Sequence, residues 1–172
     1  MPNRVPWTQR TFAFDFPVDL YPELMERLRG TPARAEEIVR GLSQPALVRR
    51  DGNSWSIQEN LGHLADVESL FAGRLDDFDA GTATLRPADM TNRTTHEAGH
   101  NDRAIASVFA DLRRVRHALV TRLETLSPQD FGRTAMHPRL ARSMRVVDMM
   151  LFQAEHDDAH FARIRVVQCL FA

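Results

Sequence analysis

The sequence predicts an all-α protein built as a four-helix bundle. Four long segments carry apolar residues every three or four positions, the spacing that gives a helix one buried face. Loops containing proline and glycine separate these segments, and the chain shows no strand alternation, internal repeat or low-complexity tract. Four amphipathic helices of 20 or more residues favour a bundle whose sites are built in the core from facing helices.

The first predicted helix runs from about Leu20 to Leu42. Pro22 falls in its first turn, where a missing N–H costs little, whereas Gly30-Thr31-Pro32 predicts a break or kink. The apolar stripe of this helix consists of Leu24, Leu28, Ala35, Ile38, Val39 and Leu42.

The second predicted helix begins at a capping box, Ser56-Ile57-Gln58-Glu59, in which the Ser56 hydroxyl and the Glu59 carboxylate each satisfy a backbone amide. It ends at Gly81. Its apolar stripe consists of Ile57, Leu61, Leu64, Phe71, Leu75 and Phe78. Glu68 interrupts that stripe. We interpret it as a surface carboxylate or the partner of a buried arginine, in preference to a general base.

The third predicted helix runs from about Asp102 to Leu126 and stops at Ser127-Pro128. Its arginines are expected to point mostly away from the core: Arg113, Arg114, Arg116 and Arg122. Ser143 is a plausible cap for the fourth helix, which runs to about Leu170.

Two loops fall outside the helical pattern, from Gly81 to Asn101 and from Thr134 to Arg142. A loop of about twenty residues in a compact domain is often functional. We therefore expect these two segments to select the substrate, which would be a small molecule.

The size and the charge of the chain limit the functions that it can have. The 172 residues are expected to form a single domain, 1–172, large enough to bury a core. Hydrophobic residues make up 43% and charged residues 26%, a globular balance. The formal net charge is −1, although all the basic residues apart from histidine are arginine, so bulk charge gives no reason to expect nucleic acid or an anionic membrane as a partner.

Cysteine content and the N-terminus indicate a cytoplasmic protein. Cys169 is the only cysteine, which excludes an intrachain disulfide, and its apolar neighbours predict a buried, inert thiol. The stretch Met1-Pro2-Asn3-Arg4-Val5-Pro6-Trp7 lacks the apolar core of a signal peptide. No segment approaches the roughly 20 apolar residues that span a bilayer.

The strongest functional signal is a histidine pair in Gln153-Ala154-Glu155-His156-Asp157-Asp158-Ala159-His160. Residues four apart lie on one helix face, so the two rings can bind one ion. His63, in the second helix, can supply a third nitrogen, and three histidines with open coordination positions are typical of catalytic metals. Neighbouring carboxylates could orient the ring N–H groups: Glu155, Asp157 and Asp158.

Other readings of the histidines stay open at this point. The pair could consist of hydrogen-bonded core residues, and His63 could be a surface residue on the helix flank. His96-Glu97-Ala98-Gly99-His100 matches the zinc-protease pattern in letters, but its loop context argues against that motif, and we expect solvated or substrate-proximal side chains. His117 is expected to be solvated, and His137 receives no role.

These motifs resemble the DinB-like (DinB/YfiT) superfamily. The resemblance rests on Trp55-Ser56-Ile57-Gln58-Glu59-Asn60-Leu61-Gly62-His63-Leu64 and on Ala154 to His160, and it extends to Asn92-Arg93-Thr94-Thr95 and His137-Pro138-Arg139-Leu140. Many relatives carry two adjacent histidines at the end of the last motif, where this chain has Ala159 before His160. The three positions that match ligands are retained.

The resemblance implies an up-down-down-up bundle that is often dimeric. It also implies one divalent ion, usually nickel, zinc or iron, held by His63, His156 and His160. Relatives include transferases and isomerases that use a low-molecular-weight thiol, and proteins described as metal-dependent hydrolases.

We therefore expect a metal-dependent enzyme that activates a thiol or water to transfer or hydrolyse small molecules. The alternatives are a metal-binding or stress-related bundle without turnover, and a structural bundle without metal. Because only neutral histidines bind metal, the ion should leave below about pH 6, near the ordinary histidine pKa.

Overall fold

A computed structural model describes residues 5–171, apart from the side chain of Phe171. The predicted domain 1–172 and the N-terminal residues 1–7 discussed above therefore include residues that lie outside this range. The helices are α1 (Tyr21–Arg29), α2 (Thr31–Ile38), α3 (Gln44–Val48), α4 (Ile57–Asp66), α5 (Glu68–Asp79), α6 (Arg93–Glu97), α7 (Ile105–Glu124) and α8 (Val146–Phe171). The strands are β1 (Thr134–His137) and β2 (Arg142–Arg145).

All four predicted bundle helices are present, two of them in two pieces. The first consists of α1 and α2, which meet at Gly30, and Pro22 lies in the first turn of α1 as predicted. The second consists of α4 and α5, which meet at Val67, a break that the sequence pattern did not predict. Its capping box is confirmed, because the Ser56 and Glu59 side chains each accept from the other residue's backbone amide.

The apolar core consists of two clusters, and their order along each helix defines the topology. The first cluster includes Leu24, Leu28, Phe71, Leu75, Leu119, Leu123, Met149 and Met150. The second includes Ala35, Ile38, Leu61, Leu64, Val108, Leu112, Ile164 and Val167. The chain meets the first cluster before the second in the first and fourth bundle helices, and in reverse order in the second and third. The bundle is therefore up-down-down-up, as predicted.

A buried polar layer lies between the two clusters. Arg116 is 1% exposed, and its guanidinium donates to Glu68 Oε1 at 2.8 Å and to Asp157 Oδ2 at 2.7 Å. The Thr31 hydroxyl donates to the same Asp157 oxygen. The expectation that Arg116 points away from the core is therefore wrong, whereas the interpretation of Glu68 as the partner of a buried arginine is confirmed.

A short hairpin precedes the fourth bundle helix, where the sequence predicted a loop. β1 and β2 are antiparallel, with Ala135 opposite Met144, and both of these side chains are buried. Ser143 belongs to β2 and does not cap the helix. Instead, the Asp148 carboxylate accepts from the backbone N–H and the guanidinium of Arg145.

The segment from Gly81 to Asn101 is partly ordered into helix. It contains α6 and the start of a 3₁₀ turn at His100–Asp102, and Leu85 within it is buried against the first apolar cluster. The Leu85 N–H donates to the Met136 carbonyl, and the Met136 N–H donates to the Ala83 carbonyl, which ties this segment to β1. The two predicted loops, from Gly81 to Asn101 and from Thr134 to Arg142, therefore lie side by side.

Two remaining expectations concern the end of the chain and the membrane. Cys169 is exposed on the outer face of α8, so the prediction of a buried thiol is wrong. Among the described residues, no helix is both long enough and apolar enough to cross a membrane.

Candidate metal centre

The three predicted metal ligands come together. His63 lies on α4, and His156 and His160 lie one turn apart on α8, which runs antiparallel to α4. One ring nitrogen from each lies within 4.8 Å of the others. His63 and His156 are buried, and His160 is half-buried. The reading of His63 as a surface histidine is therefore wrong.

A hydrogen-bond chain defines the tautomer of His63. The Thr95 hydroxyl donates its one hydrogen to Asp66 Oδ2 at 2.8 Å, so the contact of 2.9 Å between Thr95 Oγ1 and His63 Nδ1 requires the ring to donate. Nε2 of His63 then carries a lone pair available to a metal. Such outer partners orient a ligand and raise its basicity.

Asp66, the last acceptor of this series of hydrogen bonds, is ionised. Burial acts to raise the pKa of Asp66, but hydrogen bonds from His100 and Thr95 outweigh it and hold that pKa below its ordinary value. His100 Nε2 donates to the same Oδ2 atom at 2.9 Å. Of the two alternatives expected for these loop histidines, solvated or substrate-proximal, the first is wrong for His100, which is buried and supports the site, whereas His96 is exposed on α6.

Asn60 orients His160 in the same manner. The Asn60 amide donates to the backbone carbonyl of Ser56 at 2.7 Å, which turns Oδ1 toward His160 Nδ1 at 2.9 Å. His160 Nδ1 therefore donates, and its Nε2 is left as the acceptor. The residue that fixes this ring comes from the first turn of α4, which the capping box at Ser56 positions.

The spacing of the two ring nitrogens on α8 fits a shared ion. His160 Nε2 lies 3.2 Å from His156 Nε2. Two nitrogens each about 2.1 Å from one ion would be roughly 3.0–3.4 Å apart at bond angles of about 90–110°. The donor set consists of three imidazoles, which suits zinc, nickel and iron.

The acidic residues beside the pair do not orient the rings, contrary to expectation. Glu155 pairs with Arg10 and Arg27, Asp158 also pairs with Arg27, and Asp157 belongs to the polar layer. His156 Nδ1 is buried without a hydrogen-bond partner among the described residues. These carboxylates instead connect α8 to the first bundle helix.

Burial keeps two of the rings neutral. It lowers the pKa of His63 to about 3, assisted by the neighbouring His160, and it lowers the pKa of His156 to about 3, assisted by His63. Neutral imidazole is the form that binds metal. The expected release of metal near pH 6 rested on the ordinary histidine pKa, whereas protons compete for His63 and His156 only at lower pH.

Two tryptophans flank the triad. The Trp55 ring lies 4.7 Å from the ring of His63, and the Trp7 ring lies 5.2 Å from that of His156, measured between centroids. Trp7 precedes the first bundle helix, in a segment that sequence reasoning assigned to no site. Trp7 belongs to no recognisable motif, so its place beside the site could not be predicted from the sequence.

The histidines open onto a cavity of about 580 Å³. Its walls include Pro87 to Met90 and Thr94-Thr95 from one of the predicted loops, and His137 to Arg139 from the other. Both loops thus line the cavity that contains the triad. His137, for which the sequence analysis assigned no role, is buried in its wall.

Glu68 belongs to the polar layer and not to the cavity wall. Its Oε1 accepts from Gln153 Nε2 at 2.8 Å as well as from Arg116. Burial raises the pKa of Glu68 to about 7, against the opposing effect of Arg116. Gln153, one turn before His156, thus belongs to the polar layer of the bundle.

The chain belongs to the DinB superfamily, whose sequence model matches residues 27–164. A comparison with curated protein sequences gives no match.

Solved structures share the fold at low sequence identity. YfiT from Bacillus subtilis, described as a probable metal-dependent hydrolase with an unusual four-helix bundle topology, has a TM-score of 0.77 at 20% identity, covering 94% of this chain and 93% of its own. An uncharacterised protein from Clostridium difficile 630 has a TM-score of 0.69 at 11% identity, covering 88% and 96%. A mycothiol-dependent maleylpyruvate isomerase has a TM-score of 0.67 at 10% identity, covering 89% of this chain and 62% of its own.

Proposed function

We propose that this protein is a metal-dependent enzyme that transfers or hydrolyses small molecules, using a metal-activated thiol or water. The observation that carries this proposal is the convergence of three histidines, one nitrogen from each within 4.8 Å, on the wall of a 580 Å³ cavity. A structural metal site is closed by four protein ligands, whereas a site with three ligands beside a cavity leaves a position for a reactant.

The fold neighbours support both forms of the activity. YfiT is described as a probable metal-dependent hydrolase, and another neighbour is a mycothiol-dependent maleylpyruvate isomerase. We propose a divalent nickel, zinc or iron ion held by His63, His156 and His160, with a low-molecular-weight thiol as the second cofactor of the transferase form. When bound, such an ion lowers the pKa of a thiol or water that reaches it.

The protein's own residues would prepare the site for that chemistry. The chain from His63 through Thr95 to Asp66 holds one ring in place, and Asn60 holds His160. The aromatic walls at Trp7 and Trp55 limit water around the reactants, which strengthens electrostatic interactions there.

The test compares metal-loaded protein in two assays. The first supplies glutathione, bacillithiol or mycothiol with a panel of electrophiles, and the second supplies esters and amides without thiol. Turnover in either assay that is lost in the His156→Ala/His160→Ala variant supports the proposal. The control is His117→Ala, because His117 is an exposed histidine on α7. Metal binding without turnover in both assays would favour a non-catalytic metal-binding bundle.

We also propose a homodimer, as the family resemblance implies. Light scattering coupled to size-exclusion chromatography measures the mass in solution. About twice the chain mass of 19.6 kDa supports this assembly, and the mass of one chain contradicts it.

A further inference from the structure

The cavity contains a second cluster of polar side chains, separate from the triad. Arg74 from α5, His137 from β1 and Arg139 from the hairpin turn all line it. None of the three takes part in the metal centre described above. Each presents hydrogen-bond donors that the described part of the protein leaves unused or without a counter-charge.

Arg74 is a buried cation without an ion pair. It is 1% exposed, and its Nε donates to the backbone carbonyl of Arg86 at 3.2 Å. The nearby Asp77 carboxylate is taken by the Arg86 guanidinium, and no ion pair of Arg74 occurs within residues 5–171. Burial, assisted by Arg139 and Arg86 and opposed by Asp77, lowers the pKa of Arg74 to about 10. A buried charge is costly unless something compensates it.

His137 contributes a neutral donor. Its Nδ1 accepts the backbone N–H of Leu140 at 3.2 Å, so the neutral ring carries its hydrogen on Nε2. Nε2 is buried and lacks a partner among the described residues, and the side chain is 2% exposed. Burial lowers the pKa of His137 to about 4, aided by Arg74 and Arg139, so the ring is neutral at pH 7.

Arg139 contributes a second cation. Its Nη1 donates to the backbone carbonyl of Thr8 at 3.2 Å, while Nη2 is buried without a partner in the described residues. The guanidinium lies over the ring of Phe152, 5.7 Å from its centroid. These two contacts thus hold the Arg139 guanidinium in place and leave its Nη2 donor unused.

We propose that Arg74, His137 and Arg139 form a subsite for an anionic oxygen group of the substrate, a carboxylate or a phosphate. Two guanidinium groups and an imidazole N–H supply the charge and the donors that such a group accepts from. An anion there would compensate the buried arginine and satisfy the unused donors.

The subsite also defines the shape of the substrate. Phe152 contacts His137 on one side and Trp7 on the other, with ring centroids 5.3 and 4.9 Å apart, and it precedes His156 by one turn. One turn of four residues is about 6 Å of helix rise. The substrate would therefore carry its anionic group at one end and its reacting atom at the other, which rests on the proposed function for the metal end.

The test measures anion binding by tryptophan fluorescence. The chain has two tryptophans, and both Trp7 and Trp55 line the cavity, so an occupant should change the signal. Succinate and inorganic phosphate are titrated at constant ionic strength. The titrations use the metal-loaded wild type and the His156→Ala/His160→Ala variant, so that binding to the metal is separated from binding to the arginines.

The expected result is saturable binding in both proteins, weakened at least tenfold by Arg139→Gln and by His137→Phe. The matched control is Arg114→Gln, an exposed arginine on α7, which should leave the affinity unchanged. Tighter binding of succinate identifies a carboxylate group, and tighter binding of phosphate identifies a phosphate ester. The proposal is overturned if neither anion binds, or if Arg139→Gln and Arg114→Gln give equal affinities. Anion binding that persists in the His156→Ala/His160→Ala variant supports the subsite even if the metal proposal fails.

Discussion

His63 donates from Nδ1 to the hydroxyl of Thr95 at 2.9 Å, although the two residues lie 32 positions apart in the sequence. The contact joins the second bundle helix to α6, in the long segment that precedes α7. Because Thr95 in turn donates to Asp66, the ring is held in the tautomer that leaves Nε2 free for a metal.

Removing the Thr95 hydroxyl should weaken metal binding without removing a ligand. Thr95→Val keeps the shape of the side chain but leaves His63 Nδ1 without its acceptor. Loss of such an outer partner typically costs about 10–100-fold in metal affinity. Competition with a chelator of known affinity measures the change.

The neighbouring Thr94 provides the control for that experiment, because its side chain is exposed. Thr94→Val should bind metal as the wild type does. Equal affinities in the two valine variants would show that the Thr95 contact does not tune the site.

The stability of the metal-free protein should fall as the pH is lowered from about 6.5. Three of the buried histidines, His63, His137 and His156, have pKa values lowered to about 3 or 4, so as the pH falls they take up protons in the unfolded chain first. Glu68 acts in the opposite direction, because its pKa is raised to about 7 and it is protonated in the folded state first. The unfolded state then binds up to two more protons than the folded state.

That difference gives a slope of up to about 2.7 kcal/mol per pH unit between about pH 6 and 4.5, with the free energy of unfolding higher at higher pH. Urea unfolding of chelator-treated protein across this range measures it. The variant His63→Phe/His156→Leu lacks two of the groups that take up protons on unfolding. Its free energy of unfolding should therefore depend much less on pH. Equal slopes in the two proteins would contradict burial as the cause.

Gly62 should not tolerate a methyl group. A Cβ at this position would overlap the ring of His100, which is 3% exposed and hydrogen-bonded to Asp66. Overpacking of this kind costs about 1–3 kcal/mol, and here it also displaces a support of the metal centre. Gly62→Ala should therefore lower both the melting temperature and the metal affinity.

Gly73 is the matched glycine, in α5 of the same bundle helix. A Cβ there would meet the end of the exposed Arg86 side chain, which can move away. Gly73→Ala should leave metal affinity unchanged. If both alanine variants bind metal equally, the packing of His100 against α4 does not support the site.

Arg116 should be essential for stability. Arg116→Met would leave the carboxylates of Glu68 and Asp157 buried without their cation, and breaking a buried pair in this way costs about 3–5 kcal/mol. The control is Arg114→Met two residues earlier, where an exposed arginine should cost no more than about 0.5 kcal/mol. Denaturant unfolding of both variants measures the difference, and similar losses would contradict the role of the polar layer.

Helix periodicity was sufficient to predict the bundle because each helix buries one face. It was insufficient where a polar residue lies on that face. Arg116 was assigned to the surface because arginine is rarely buried, and only its contacts with carboxylates on two other helices explain its position. The hairpin of β1 and β2 was missed because strands of four residues give too short an alternation to detect.

The three candidate ligands were predictable because helical spacing places His156 and His160 on one face. Their supporting residues were not. Thr95 and Asn60 reach the rings from elsewhere in the fold. The acids beside the pair looked suitable in sequence, but Glu155 and Asp158 point toward Arg27 and Asp157 points toward Arg116. A helix carries adjacent residues to different faces, so proximity in sequence misled this assignment.

Elemental analysis of untagged protein tests the central claim most directly. The wild type and the exposed-histidine control His117→Ala should each contain about one divalent ion per chain, and the His156→Ala/His160→Ala variant should contain none. Absence of metal from the wild type after loading with nickel and zinc, or equal metal in the double variant, would contradict the three-histidine centre.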